Sequence, residues 1–172
     1  LSDMVVALEK KQVDGVVFTR ATFDSVLAEH PNKFKILDQP LGETNLHMTI
    51  SPKTDFENLQ NEVNEFLRAK KADGTLEKAY KYWFVDHNTE MPPDIPKPQG
   101  ATKKLVAGTT GVMMPTTFYS GDNLVGFDIE ISKRFAAEYG YEIEYRVEDF
   151  TSLLTDTEFG KIDLMSGSVM YT

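Results

Sequence analysis

The side chains in this 172-residue chain that could do chemistry are few, and they lack the company that chemistry needs. Two close pairs of carboxylates stand out, Asp128 with Glu130 and Glu142 with Glu144. The first pair opens a helix, where negative charge favours the positive end of the helix dipole and satisfies free N–H groups, so capping outranks catalysis. The second pair shares one side of an alternating stretch, the solvated side opposite Tyr141, Ile143 and Tyr145. His30, His47 and His87 show no metal-ligand spacing. With no cysteine, thiol catalysis and Cys-ligated metals drop out. "GTTGVMMP", from Gly108, lacks both the Gly-Lys-Ser/Thr ending of a phosphate-cradling loop and the three-glycine spacing of a dinucleotide turn. No acid is paired with a nucleophile in any recognisable arrangement. A net charge of −9 without a basic stripe argues against nucleic acid, whose phosphates require clustered Lys and Arg. No enzyme activity, metal or cofactor is expected.

The elements that would position a binding site fall into two stretches. "SDMVVALEKKQ" is helical, with Ser2 or Asp3 as N-cap; Val13 to Phe18 reads as a buried strand; "ATFDSVLAEHP" returns to helical spacing until Pro31. "NLHMTIS" is a second strand. Thr54 and Glu57 have capping-box spacing ahead of a long helix through Phe66 and Leu67, and Gly74 ends it before "LEKAYKYWF". Four prolines in "DHNTEMPPDIPKPQGAT" mark a linker. In polyproline II form, at ~3 Å per residue, it would reach on the order of 50 Å.

Beyond it, strand Leu105–Gly108, a loop through Asp122, helix Asp128–Tyr139, the strand "YEIEYRV", helix "DFTSLLTDTEF" and the buried strand "KIDLMSGS" follow in order. Asp14 and Asp163 precede buried strands and fix turns. The β-α-β-α-β order with short connections predicts an α/β fold with a largely parallel sheet. "EKKQVDGVVF" and "EFGKIDLMSG" echo each other, either as related units or as two ordinary αβ turns. The first residues read as a helix and not as an export signal, and no apolar run reaches the ~20 residues that span a bilayer.

Residues 103–172 resemble the N-terminal segment of type 2 periplasmic solute-binding proteins of family 3, the polar amino acid branch. "GDNLVGFDIEISKRFAAEYG", "YEIEYRVEDFTSLL" and "GKIDLMSGSVMYT" carry the resemblance at their spacings. Residues 1–84 are similar to the C-terminal segment of the same family: "VVALEKKQVDGVVF" to the late helix and strand of the second lobe, and "DGTLEKAYKYW" to the family's ending. The order is therefore permuted, and the segment that would build most of the second lobe is missing between the two. A junction between tandem units explains this better than a natural circular permutation. On that reading residues 1–84 close an upstream unit, with 1–37 a second-lobe remnant and 44–84 the closing strand and helices of the first lobe. Residues 85–102 are the linker, and 103–172 begin a downstream unit.

The resemblance implies a three-layer α-β-α lobe of the type 2 periplasmic-binding-protein fold, with Thr44–Phe84 and Lys103–Thr172 closing one sheet around one core. It implies a non-catalytic module that captures a small polar ligand, such as an amino acid, by closure of two lobes. The module would serve the membrane permease of an ABC importer from a periplasmic or extracellular position, with a membrane tether left open. The alternative is the ligand-sensing ectodomain of a membrane-bound kinase or cyclase. Matched position by position, Phe150 either stacks on ligand or packs in the core. Thr110 is a polar contact, and Met113 replaces an aromatic by a soft apolar wall. Ser168, Met170 and Thr172 stand where the family has hydroxyl donors, Met170 departing from that pattern. The family's carboxylate-binding Arg is expected three residues beyond Thr172. Thr19 stands where many members have the amine-binding Asp, and Arg20 next to it is a further contact for an anionic group. An unpaired strand edge in residues 1–37 predicts a homodimer or swapped assembly.

Overall fold

Glycine-punctuated aliphatic runs form the strands, and the 3.6-residue spacing of apolar side chains forms the helices that cover them. The computed structural model describes residues 2–42, 46–101 and 103–170, which fall into two units, Leu1–Gln39 and Pro40–Thr172.

In the first unit, α1 (Ser2–Glu9) and α2 (Arg20–Glu29) are joined by an irregular segment. Val5 and Val26 are buried, and Lys33 Nζ pairs with Glu9 Oε1 at 3.0 Å. The strand expected over Val13–Phe18 does not form, and Val17 is 72% exposed. Among the described residues this unit holds no second strand, and an extended segment without a neighbour has no ladder to satisfy its N–H and C=O groups. Pairing through a strand edge in residues 1–37 therefore has no strand to start from.

The second unit is a three-layer α/β/α lobe. Its central sheet runs β1 (Leu46–Ile50), β7 (Leu164–Met170), β2 (Lys103–Thr109) and β6 (Tyr141–Val147). Strand β2 is parallel to both neighbours, in register Ala107↔Tyr145 with β6 and Ala107↔Leu164 with β7, while β1 is antiparallel to β7. Helices α3 (Leu59–Ala72), α4 (Thr75–Tyr80) and α5 (Phe127–Tyr139) cover one face, where Val63, Phe66, Ala79, Leu105 and Phe135 share a core. Helix α6 (Phe150–Glu158) covers the other face through Leu153, against Ile162, Met165 and Val106. The loop expected through Asp122 is instead a small antiparallel sheet of β3 (Val112–Met113), β4 (Thr117–Ser120) and β5 (Asn123–Val125). Its last two strands are joined by the two-residue turn Gly121–Asp122.

Residues 46–85 and 103–170 thus build one core, as the sequence implied, and polar bonds lock them. Asp163 Oδ1 accepts from Thr54 Oγ1 at 2.7 Å, and Asp163 Oδ2 accepts from the Val106 amide at 2.9 Å. Trp83, on a π-helical turn (Lys81–Val85), donates from Nε1 to Glu130 Oε2 at 2.7 Å. Two capping expectations are corrected here. Thr54 gives its hydroxyl to Asp163, and α3 starts at Leu59 without a side-chain cap. Glu130 is almost fully buried and also accepts from Arg134 Nε at 2.8 Å, while Gly126 occupies the cap position of α5. In both places a tertiary partner outcompetes the local one.

The proline-rich segment is irregular and lies along the lobe. Tyr82 Oη donates to the Glu90 carbonyl at 3.0 Å, Arg134 Nη2 reaches Asp94 Oδ1 at 3.0 Å, and Met91 packs beside Trp83.

Candidate functional site

In parallel sheets the crevice beyond the carboxyl ends of the strands is where side chains from separate loops converge. Here β2 and β6 end in register at Thr109 and Val147. The chain leaves β2 through Thr110 and Gly111, and leaves β6 through Glu148 and Asp149 into α6. The Glu148 amide donates to the Thr109 carbonyl at 3.1 Å and holds the two exits together.

Asp149 is a true N-cap. Its Oδ1 accepts from the Thr151 and Ser152 amides at 3.0 and 3.1 Å, and its Oδ2 accepts from Ser152 Oγ at 2.6 Å. These bonds, that of the Ser152 hydroxyl foremost, hold its carboxyl below the usual range. The cap makes Phe150 the first residue of α6, and its side chain is 49% exposed, so it is not packed in the core.

Across the edge, the small sheet brings Tyr119 over the β2 exit. Gly111 has φ +67°, and a Cβ there would stand 3.0 Å from Val147 Cγ1 and 3.1 Å from Tyr119 Cε2. Only a residue without a side chain allows the ring to lie against this backbone. A 2.6 Å bond between Thr109 Oγ1 and Thr117 Oγ1 anchors β4 to β2 beneath it. Thr110 Oγ1 is buried and has no hydrogen-bond partner among the described residues. Buried hydroxyls are normally satisfied, which sets this one apart at the edge.

Of the residues singled out in the sequence, the structure brings Thr110, Met113 and Phe150 to the strands' C-terminal edge or the small sheet beside it. Met113, in β3, is 37% exposed. The backbone of Ser168 and Met170 lies in the last residues of β7, the other parallel neighbour of β2, and their side chains lie outside what is described. Thr172 lies outside the described residues. Thr19 is the N-cap residue of α2 in the Leu1–Gln39 unit, without a side-chain capping bond. Sequence reasoning missed Gly111, Tyr119 and Glu148. The alternation of Thr117, buried toward Thr109, with Tyr119 two residues on was the signal for the ring.

Other concavities lie elsewhere. One of about 340 Å³ sits at the amino ends of β2 and β6, lined by Asp55, Phe56, Glu57, Glu62, Lys103 and Tyr141. Its polar groups are partly engaged with one another: Tyr141 Oη donates to Glu62 Oε2 at 2.7 Å, and Lys103 Nζ sits 5.6 Å from the Phe56 ring centre. Desolvation, then this hydrogen bond, pushes Tyr141 up to about 12. Beneath the lobe surface, Asp128 on the first turn of α5 is buried, and its Oδ2 has no partner among the described residues. Burial raises its carboxyl to about 7, and desolvation likewise raises neighbouring Tyr145, which bonds Ser132 Oγ at 2.8 Å. Among the described residues, no group of three or more His, Cys, Asp or Glu could hold a metal, and no helix is long and apolar enough to cross a membrane.

Residues 105–172 match the sequence model of the bacterial extracellular solute-binding proteins, family 3. The arginine-binding extracellular protein ArtP of Bacillus subtilis is 42% identical over 67 residues, 39% of this chain and 26% of that protein. The putative amino-acid ABC transporter-binding protein PatH of Vibrio harveyi is 34% identical, over 43% of this chain and 29% of its own length. The chain thus spans less than a third of the curated relatives it matches. Among solved structures, the L-cystine solute receptor of Neisseria gonorrhoeae, unliganded and open, aligns at 25% identity over 40% of this chain and 30% of that chain, with a TM-score of 0.38.

Proposed function

We propose that the Pro40–Thr172 unit is one lobe of a non-catalytic solute-binding unit, and that the carboxyl edge of its sheet is half of a cleft for an amino acid. The observation that carries this is the pairing, at that edge, of a buried hydroxyl without a partner on Thr110 with the half-exposed ring of Phe150. A polar donor or acceptor beside an aromatic wall suits a small molecule with a polar head and an apolar stem. The family match over residues 105–172 and the amino-acid-binding names of its relatives support the same reading. Closure of a second lobe over the edge would bury the ligand and complete its contacts, and the closed form would be presented to an ABC-importer permease outside the cell or in the periplasm.

The permuted order supports a junction of tandem units, with residues 1–84 ending one, 85–102 joining, and 103–172 beginning the next. One lobe alone supplies part of the contacts, so calorimetry of this chain against the twenty amino acids should show no micromolar binding. Micromolar binding to this chain would overturn the half-cleft reading.

A further inference from the structure

Neither stretch of the Pro40–Thr172 lobe buries its apolar face alone. Val63, Phe66 and Ala79 of one stretch and Leu105, Phe135 and Leu164 of the other are each at most 4% exposed, and they belong to a single core. The Phe66 and Phe135 rings meet edge to face at 5.5 Å, and the Trp83 and Phe118 rings at 6.0 Å. Strand β1 extends the sheet by pairing with β7. Polar bonds then fix the fit. Besides those of Asp163 and Glu130, Lys70 Nζ reaches Glu138 Oε2 at 2.7 Å, and Tyr141 Oη donates to Glu62 Oε2 at 2.7 Å.

The segment that joins the stretches adds little to this. Asn88 Nδ2 donates to the Tyr82 carbonyl at 2.9 Å and the Glu90 carbonyl accepts from Tyr82 Oη, both bonds falling on the stretch that the segment leaves. Across to residues 103–170 it makes one polar bond among the described residues, Asp94 with Arg134, and the Asp94 side chain is 72% exposed. Exposed ion pairs of this kind contribute little. Met91 adds an apolar contact with the cluster of Trp83, Phe118 and Val125. Residues 96–101 are exposed and irregular, and a Cβ on Gly100 would meet no atom within 4 Å. The fit is therefore carried by the two surfaces, and the covalent tether serves to raise their local concentration.

We propose that residues 46–85 are an exchangeable closing element, which docks on residues 103–170 of a second copy through the same surface that it covers in its own chain. This rests on the reading of the chain as a junction of tandem units. There a closing segment stands between two acceptors of one kind, the start of its own unit and the start of the next.

The test folds the full chain with the recognition sequence of a specific protease set into residues 96–101, and then cuts it there. The two pieces should stay together in gel filtration at about ten micromolar, with unchanged far-UV circular dichroism. Native mass spectrometry of the cut chain mixed with an isotope-labelled cut copy should show mixed pairs. Asp94→Ala should change the concentration at which the pieces part by less than about twofold. Trp83→Phe, which removes the bond to Glu130, should raise it by about thirtyfold. Pieces that separate on cutting, or that never form mixed pairs, overturn the proposal. So does a Trp83→Phe effect no larger than that of Asp94→Ala. No solute enters the experiment, so these outcomes leave the half-cleft reading to calorimetry, and micromolar amino-acid binding there would leave the docking standing.

Discussion

Asp128→Asn is the substitution whose effect can be worked most fully from the structure. The carboxyl is buried, one of its oxygens has no partner among the described residues, and burial raises it from 3.8 to about 7. A folded-state value above the unfolded one means that the native lobe holds a proton which the unfolded chain releases between those two pH values. This contribution to stability is whole below about 4 and is gone once the pH passes about 7. Three units at about 1.4 kcal/mol each give on the order of 4 kcal/mol over the full window. Between pH 5 and pH 8 the loss is about 3 kcal/mol.

Asparagine is isosteric and uncharged, so the variant lacks this slope. Its amide adds donors in a place with no acceptor assigned, which costs about 1–3 kcal/mol at every pH and shifts the curve without tilting it. Other carboxyls, such as Asp149, are held low and tilt stability the opposite way, but they do so equally in both proteins. The informative quantity is therefore the stability of the variant minus that of the parent, from urea unfolding at pH 5, 6, 7 and 8. It should rise by about 3 kcal/mol across that range. A difference constant to within about 0.5 kcal/mol would refute the claim that Asp128 is protonated in the folded lobe.

Two further substitutions probe how the separate stretches hold one core. Trp83→Phe removes the indole donor to the buried Glu130 and leaves that carboxylate to Arg134 alone, which should cost about 2–3 kcal/mol in thermal melts followed by circular dichroism; an unchanged midpoint contradicts the bond's role. Asp163→Ala strips the acceptor from both Thr54 Oγ1 and the Val106 amide, and should lower urea stability by about 2–4 kcal/mol with little change in the denaturant slope; a loss below about 0.5 kcal/mol would show that the Asp163 side chain does not help join the two stretches.

Legibility followed the range of the interactions. Strands β2 and β6 and helices α3 and α5 were readable because burial on one side imposes a period on the sequence, as Leu105, Ile131 and Phe135 illustrate. The two- and three-residue strands β3 and β5 are too short to carry a period, so the small sheet read as a loop. Val13–Phe18 has strand composition, but a strand exists only where a neighbour accepts its ladder. Thr54 and Glu130 were misjudged because their partners, Asp163 and Trp83, lie 109 and 47 residues away. At the candidate site, Thr110, Met113 and Phe150 were reached through a family resemblance and not from their chemistry. Tyr119 and Glu148 belong to no motif, and only the fold brings them to the same edge.

The central claim is one of location: a small solute engages the carboxyl edge of the sheet and not the cavity of about 340 Å³ at its amino edge. The direct measurement is a two-dimensional amide NMR map of this chain during titration with a mixture of the twenty amino acids at millimolar concentration. Saturable shifts confined to residues 109–119 and 147–152 are the predicted result. Shifts centred on Asp55, Glu62, Lys103 and Tyr141, or no saturable shifts at all, would contradict it.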